Sequence, residues 1–447
     1  MKKVTLLATV AVIAAVTSLA ADAPELVVHE WGTFTCLQDE NGRAIGGINT
    51  DDEPVPDFVH DLTPNLLMPV APEAPPPVSK GIPRCHVDVT MRLETPVIYF
   101  HPRDGFDRQF NVSVSFRRGW LTQFYPDAAI HAFGIKEGHV GSLLLGNSSL
   151  GWGPISLNRS DEGPATSAPV WTAPRAVQAA TIETKGEHEK YLFYRGVAHL
   201  DSPVTITRLG PELTYVKATK DNGEQSARDI REFWQLDVRP NGDAAFRVVQ
   251  PFEQGPALVA KSPVDFKPEE YGADKISELR DKMRAALIDD GLFEDEAEAL
   301  LNTWQVSYFK SPGMRVFFLV PQVWTDEVMP LRVSAPLRTA PISAEIKRVM
   351  VGRIEIVTPE QRALLARIAH SSSTVSASPK AESADAREAR WQNDYAVYLR
   401  LGRFRNALVL DEQKQRPALD LGEFINRFLL QAYVPPPESR RWSTWTR

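Results

Sequence analysis

Two cysteines, Cys36 and Cys85, are all that the 447 residues contain. So small a thiol supply excludes a disulfide-dense scaffold, and neither cysteine sits in the C-x-x-C pair that a structural zinc site uses. Long apolar runs are also missing: beyond the first twenty residues no stretch approaches about eighteen uninterrupted apolar positions, the length a spanning helix needs. Positive charge is not in excess either. Lys and Arg number 50 against 57 Asp and Glu, for a formal charge of -7. A mildly acidic chain without a basic stripe excludes nucleic acid as a partner and leaves the protein peripheral to a membrane at most.

Familiar catalytic motifs are lacking too. There is no G-x-S-x-G elbow, since "GNSSLG" has the wrong spacing, and no G-x-x-x-x-G-K-[ST] or G-x-G-x-x-G loop. "HEKYL" at His188 opens like a zincin helix but puts Leu192 where the second histidine ligand belongs, in a stretch that reads as strand. No period of about 20 to 50 residues repeats, which disfavours propellers and solenoids. No organic cofactor is therefore expected.

What is present begins with a leader. Lys2 and Lys3 precede the apolar run Val4 to Val16, and Ser18-Leu19-Ala20 then leads into Ala21-Asp22-Ala23. Basic start, short apolar core and small residues make a secretory signal peptide, over residues 1–20, with cleavage after Ala20 or Ala23 fitting equally well. The expectation is a periplasmic or secreted protein. Losing the two lysines takes the charge from -7 to -9, because the leader holds no acid. The remaining chain of about 425 residues implies two domains, or one large core with appendages, and a hydrophobic share of 43% suffices for either. In an oxidising compartment a disulfide between Cys36 and Cys85 is expected, with thiolate metal ligation as the alternative.

"LVVHEWGTFTC" has strand composition, with Val27, His29, Trp31 and Thr33 on one face and Val28, Glu30, Phe34 and Cys36 on the other. Neither face is cleanly polar, so the strand is expected to be covered on both sides. Nine prolines between Pro54 and Pro83 exclude helix interiors and central strands there and predict a long crossing. Strands then follow quickly. "TPVIYFHP" is apolar, and "QFNVSVSF" alternates and is expected to turn through "RRGW" into "LTQFYP" as a hairpin. Asn241-Gly242, between "FWQLDV" and "AAFRVVQ", is the strongest hairpin signal in the chain.

Near residue 256 the period changes. Ile276, Leu279, Met283 and Leu287 recur at helical spacing up to Gly291, and Ala297, Leu300, Leu301, Trp304 and Tyr308 form a second stripe behind Glu294, Asp295 and Glu296. Strands return in "MRVFFLVP" and "VMVGRIEIVTP", and Thr358-Pro359-Glu360-Gln361 carries the signals of a helix start. The resulting division is a β-rich domain over 21–255 with its proline-rich crossing 54–83, a helical hairpin plus returning strands over 256–370, a flexible linker 371–386 and a helical tail 387–447. The fold class is mainly β, antiparallel and sandwich-like, with a helical hairpin insertion and a small C-terminal helical segment.

Candidate chemistry rests on polar residues set into apolar strands: His29, Glu30, Glu94, His101 and Arg195, with His60 in the loop region. His29 and Glu30 point to opposite faces, so both cannot serve one ion without a bulge. One reading makes them structural, with Glu30 or Glu94 paired with Arg195 and His29 hydrogen bonded in the sheet. The other gathers His29, Glu94 and His101 around a divalent metal. Trp31, Trp120, Trp152 and Trp171 would be stacking platforms if exposed and core otherwise.

The blocks "HEWGTFT", "LETPVIYF", "LFYRGV", "LLNTWQVSYF" before "RVFFLVP", and "VGRIEIVTP" together resemble a family of exported bacterial proteins of unassigned function. The likeness runs from His29 to Thr358. It implies export but no substrate, cofactor or catalytic residue. The leading expectation is a non-catalytic protein that binds an envelope or extracellular partner; the alternative is a metal-assisted hydrolase with a site built from His29, Glu94 and His101.

Overall fold

The computed structural model describes residues 23–48, 54–62, 88–133, 135–136, 139–140, 147–158, 163–217, 230–254, 257–376, 383–417, 421 and 424–425. The expected signal peptide, Cys85, most of the proline-rich crossing and most of the last tail helix lie outside them.

The architecture is mainly β with several antiparallel sheets and some helices. Its centre is a nine-stranded sheet in the order Ala244–Val249, Phe233–Val238, Gly313–Val320, Ala344–Ile356, Leu26–Gln38, Met91–Pro102, Leu192–Ala198, Gly119–Tyr125 and His60–Asp61. Leu26–Gln38 lies in the middle. It pairs antiparallel with Met91–Pro102 and parallel with Ala344–Ile356, from Leu26 opposite Ala344 to Gln38 opposite Ile356. The sheet therefore draws strands from both sides of residue 256, and the change of hydrophobic period there marks no boundary in it.

As its two apolar faces demand, this sheet is covered twice. Val28, Phe34, Ile98 and Phe100 pack against Phe110, Val112, Val114 and Trp152 of a six-stranded sheet, which makes the sandwich. On the opposite face Trp31, Val97, Tyr99, Val349 and Val351 meet Leu279, Met283 and Leu287 of helix Lys275–Asp289 and Ala297, Leu300 and Leu301 of helix Glu294–Thr303. The expected helical hairpin is thus the second cover of the sheet. Trp31, Trp120, Trp152 and Trp171 are all fully buried, as core.

The Asn241-Gly242 hairpin forms between Phe233–Val238 and Ala244–Val249, with Gly242 at a φ of 93° that favours glycine. The expected hairpin around "RRGW" does not. Phe110–Arg117 belongs to the six-stranded sheet and Gly119–Tyr125 to the nine-stranded one, and Arg118, at φ 58°, carries the chain between them. Burial explains the split: the first strand alternates buried and open positions, whereas the second is buried at every residue. The linker expected over 371–386 is shorter than its composition suggests, because helix Pro359–Ser376 runs into it and Ser383 caps helix Ala384–Arg400 by accepting from the Ala386 N–H at 3.2 Å.

Cys36 is a buried free thiol, and the other half of the expected disulfide, Cys85, lies outside the described residues. Burial pushes this thiol up to about 12.

Candidate functional site

Alternation along Leu26–Gln38 sends His29, Trp31 and Thr33 toward the helices and Val28 and Glu30 toward the second sheet. His29 stands opposite Tyr99 in the neighbouring antiparallel strand, and Val27 opposite His101, which places the two imidazoles diagonally on one face. Their ring centroids are 5.3 Å apart. Helix Glu294–Thr303 enters above them. Its Glu296 is fully buried, with His29 Nδ1 at 2.7 Å from one carboxylate oxygen and His101 Nε2 at 2.9 Å from the other.

Local backbone fixes the carboxylate. The Phe293 N–H donates to Glu296 Oε2 at 2.8 Å, an N-terminal helix contact, and Asp295 accepts from the Gln178 N–H at 2.7 Å, tying the same turn to the segment that follows helix Pro169–Arg175. The Phe293 ring covers both imidazoles, at 4.6 Å from His29 and 4.8 Å from His101. Burial acts to raise the Glu296 carboxyl, but the hydrogen bonds from His101 and His29 outweigh it and hold the group below its ordinary value. The site is deep without being sealed, since the His101 side chain keeps 15% of its exposure.

His29, His101 and Glu296 can each offer one ligand atom, all within 4.8 Å of one another. Two imidazole nitrogens and a carboxylate oxygen are a donor set that suits Zn²⁺, with a fourth position left for water. Tetrahedral ligands at about 2.0 to 2.1 Å lie about 3.3 Å from each other, so ion entry would require the present 2.7 and 2.9 Å contacts to open by about half an ångström.

Glu94 is not part of this group. A register shift in Met91–Pro102, with Thr95 at φ 43°, turns Glu94 to the helix-facing side but places it opposite Thr33, farther along the strand. There it accepts from Arg92 Nε at 2.8 Å and from Arg403 at 2.9 Å. Arg195 pairs with neither Glu30 nor Glu94; its guanidinium donates to Thr95 Oγ1 at 3.0 and 3.1 Å and to Gln123 at 3.3 Å. His60 lies elsewhere, against Glu187 at 3.0 Å. Glu30, on the other face, is held by Arg348 and by the Tyr194 hydroxyl, and Arg348 reaches on to Asp326 at 2.8 Å and to the Met329 carbonyl at 2.6 Å.

The sequence reading missed Glu296 because it was assigned to the helix dipole with its acidic neighbours. The signal was there: Glu296, Leu300 and Trp304 are spaced by four and share the buried stripe, and a carboxylate on such a stripe needs a partner.

No family model matches the chain, and no curated protein matches it. Among solved structures it is similar to the yeast delta-COP-I mu-homology domain, with 9% identity and a TM-score of 0.25, over 75% of this chain and 98% of that one. A likeness at that level carries no argument about fold or function.

Proposed function

We propose that this is an exported protein that binds a divalent transition metal through His29, His101 and Glu296, and that metal-assisted hydrolysis is the reaction its centre is built for. The single observation carrying the reading is the convergence of the three donors from two strands and a helix onto one buried point. A metal held by two imidazoles and one carboxylate lowers the pKa of a bound water toward neutrality, which supplies a nucleophile without a serine or cysteine elbow. The partial exposure of His101 beside Phe293 gives the fourth position a route to solvent. Export to the periplasm or medium is supported by the leader over residues 1–20 and by the family resemblance. No described helix is long and apolar enough to cross a membrane.

A second reading has its own observation. The 2.7 and 2.9 Å distances are those of hydrogen bonds, so Glu296 also serves as a latch that fastens the helical hairpin to the sheet. Metal analysis separates the two. Protein purified without chelator and re-equilibrated with Zn²⁺ is expected to retain about one ion per chain, and His29→Ala or His101→Ala to retain none. Failure of the parent to hold zinc leaves the latch alone. Bound zinc without turnover in a broad hydrolase screen assigns the centre to a binding protein for an envelope partner.

A further inference from the structure

We propose a second site in this protein, an oxyanion-binding subsite formed by Arg353 and Thr35 on the helix-facing side of the central sheet. Arg353 and Thr35 are direct partners on adjacent strands, and Arg92 is the partner of Thr35 on its other side, so the three stand in one row across the sheet. Adjacent strands are about 4.8 Å apart, so the two side chains leave the sheet from neighbouring points on one face. Both side chains are buried, and Arg353 Nη1 and Thr35 Oγ1 have no hydrogen-bond partner among the described residues.

Charge points the same way. Arg353 Nε donates to Glu355 Oε1 at 3.1 Å, and Arg315 Nε approaches that same oxygen at 3.8 Å. Two fully buried guanidiniums thus share one carboxylate, an arrangement left with positive charge over. Arg315 is otherwise employed: it donates to the carbonyls of Ser307 at 2.9 Å, Tyr308 at 3.0 Å, Ser311 at 2.6 Å and Gly313 at 3.2 Å, and so holds the π-turn Val306–Lys310 over the sheet. Arg353 is the one of the two whose Nη1 remains to be used. Burial pushes Arg315 down to about 10, and burial together with Arg403 holds Arg353 below its usual value against the pull of Glu355 and Glu94.

Near this row the side chains of Arg403 and Glu355 keep 13% and 14% of their exposure, and an anion would approach from their side. A guanidinium edge and a hydroxyl match two oxygens of one phosphate or carboxylate group, the chemical class assigned here. This site does not depend on the metal. Thr35 lies six residues beyond His29 on the strand, about 20 Å away, with Trp31 and Thr33 between.

The test is calorimetric titration of the metal-free full chain with inorganic phosphate and, separately, acetate, at ionic strength held constant with chloride. The expected result is saturable binding of at least one of the two, near one equivalent, which tells the two anion classes apart. Arg353→Gln is expected to weaken it tenfold or more. Thr35→Val, which preserves shape should the arginine variant misfold, is expected to weaken it severalfold, and Glu296→Gln to leave it unchanged. Absence of saturable binding by either anion, or affinity unaltered in both Arg353→Gln and Thr35→Val, overturns the proposal. So does binding lost in Glu296→Gln, because the site would then belong to the metal centre.

Discussion

Two neighbouring residues on one strand, His29 and Glu30, bury polar chemistry on opposite sides of the same sheet in contrasting ways. Around Glu30 the partners are permanent charges and fixed donors: Arg348, with 1% of its side chain exposed, and the Tyr194 hydroxyl. Around His29 they are a second imidazole and a shared carboxylate, with the His101 edge open to water. Burial acts to lower Arg348, but Glu30, with Tyr194 and Asp326, outweighs it and raises the guanidinium above its usual value, so Arg348 stays charged. The lesson is one of division. The sandwich side fixes strand to strand through a sealed ion pair, and the helix side joins helix to sheet through one carboxylate shared by two imidazoles.

The largest expected effect comes from breaking the sealed side. Arg348→Met leaves Glu30 buried beside Tyr194 alone, and is expected to lose roughly 3–5 kcal/mol in urea unfolding while zinc retention by the folded fraction matches the parent's. Glu30→Ala should lose a similar amount. On the open side, Glu296→Gln retains the shape and one acceptor; about 1–3 kcal/mol is expected to go, with zinc retention abolished. A variant that held zinc as well as the parent would sink the proposed centre.

Acid sharpens the comparison further. Because Glu296 is held below its ordinary value in the folded state, its contribution is fully present above the unfolded value of about 4.3 and is lost as pH falls through the lower folded value. The stability difference between the parent and Glu296→Gln should therefore be constant near neutrality and shrink only below about pH 4.3. The smallest effect is on Cys36, a probe of the sandwich side. Its thiol, raised to about 12 by burial, is expected to resist alkylation at neutral pH in the folded protein and to react on unfolding. Rapid labelling of the native chain would show that this core opens.

Much of this contrast was legible in residue order. The alternation in "VVHEWGTFTC" assigned His29 and Glu30 to opposite faces, and the helical stripes and the Asn241-Gly242 turn formed as their patterns require. Partners were not legible. Arg348 lies 318 residues from Glu30 and Glu296 lies 267 from His29, and only the tertiary register brings either pair together. Glu94 was misplaced for a local reason. Thr95 and Pro96 absorb an extra residue in the Met91–Pro102 strand, which reverses the inside–outside parity on one side of the bulge and puts Glu94 beside Thr33.

The parallel pairing of Leu26–Gln38 with Ala344–Ile356 also sets an order of events. The innermost strand of the sheet comes almost first in the chain, and its partner more than three hundred residues later. Until that later strand is made, the first one has only half of its backbone hydrogen bonds to gain, and closure spans most of the polypeptide. The central sheet cannot be completed early in synthesis. The innermost strand therefore stays half-paired until the residues from Ala344 onward have been made.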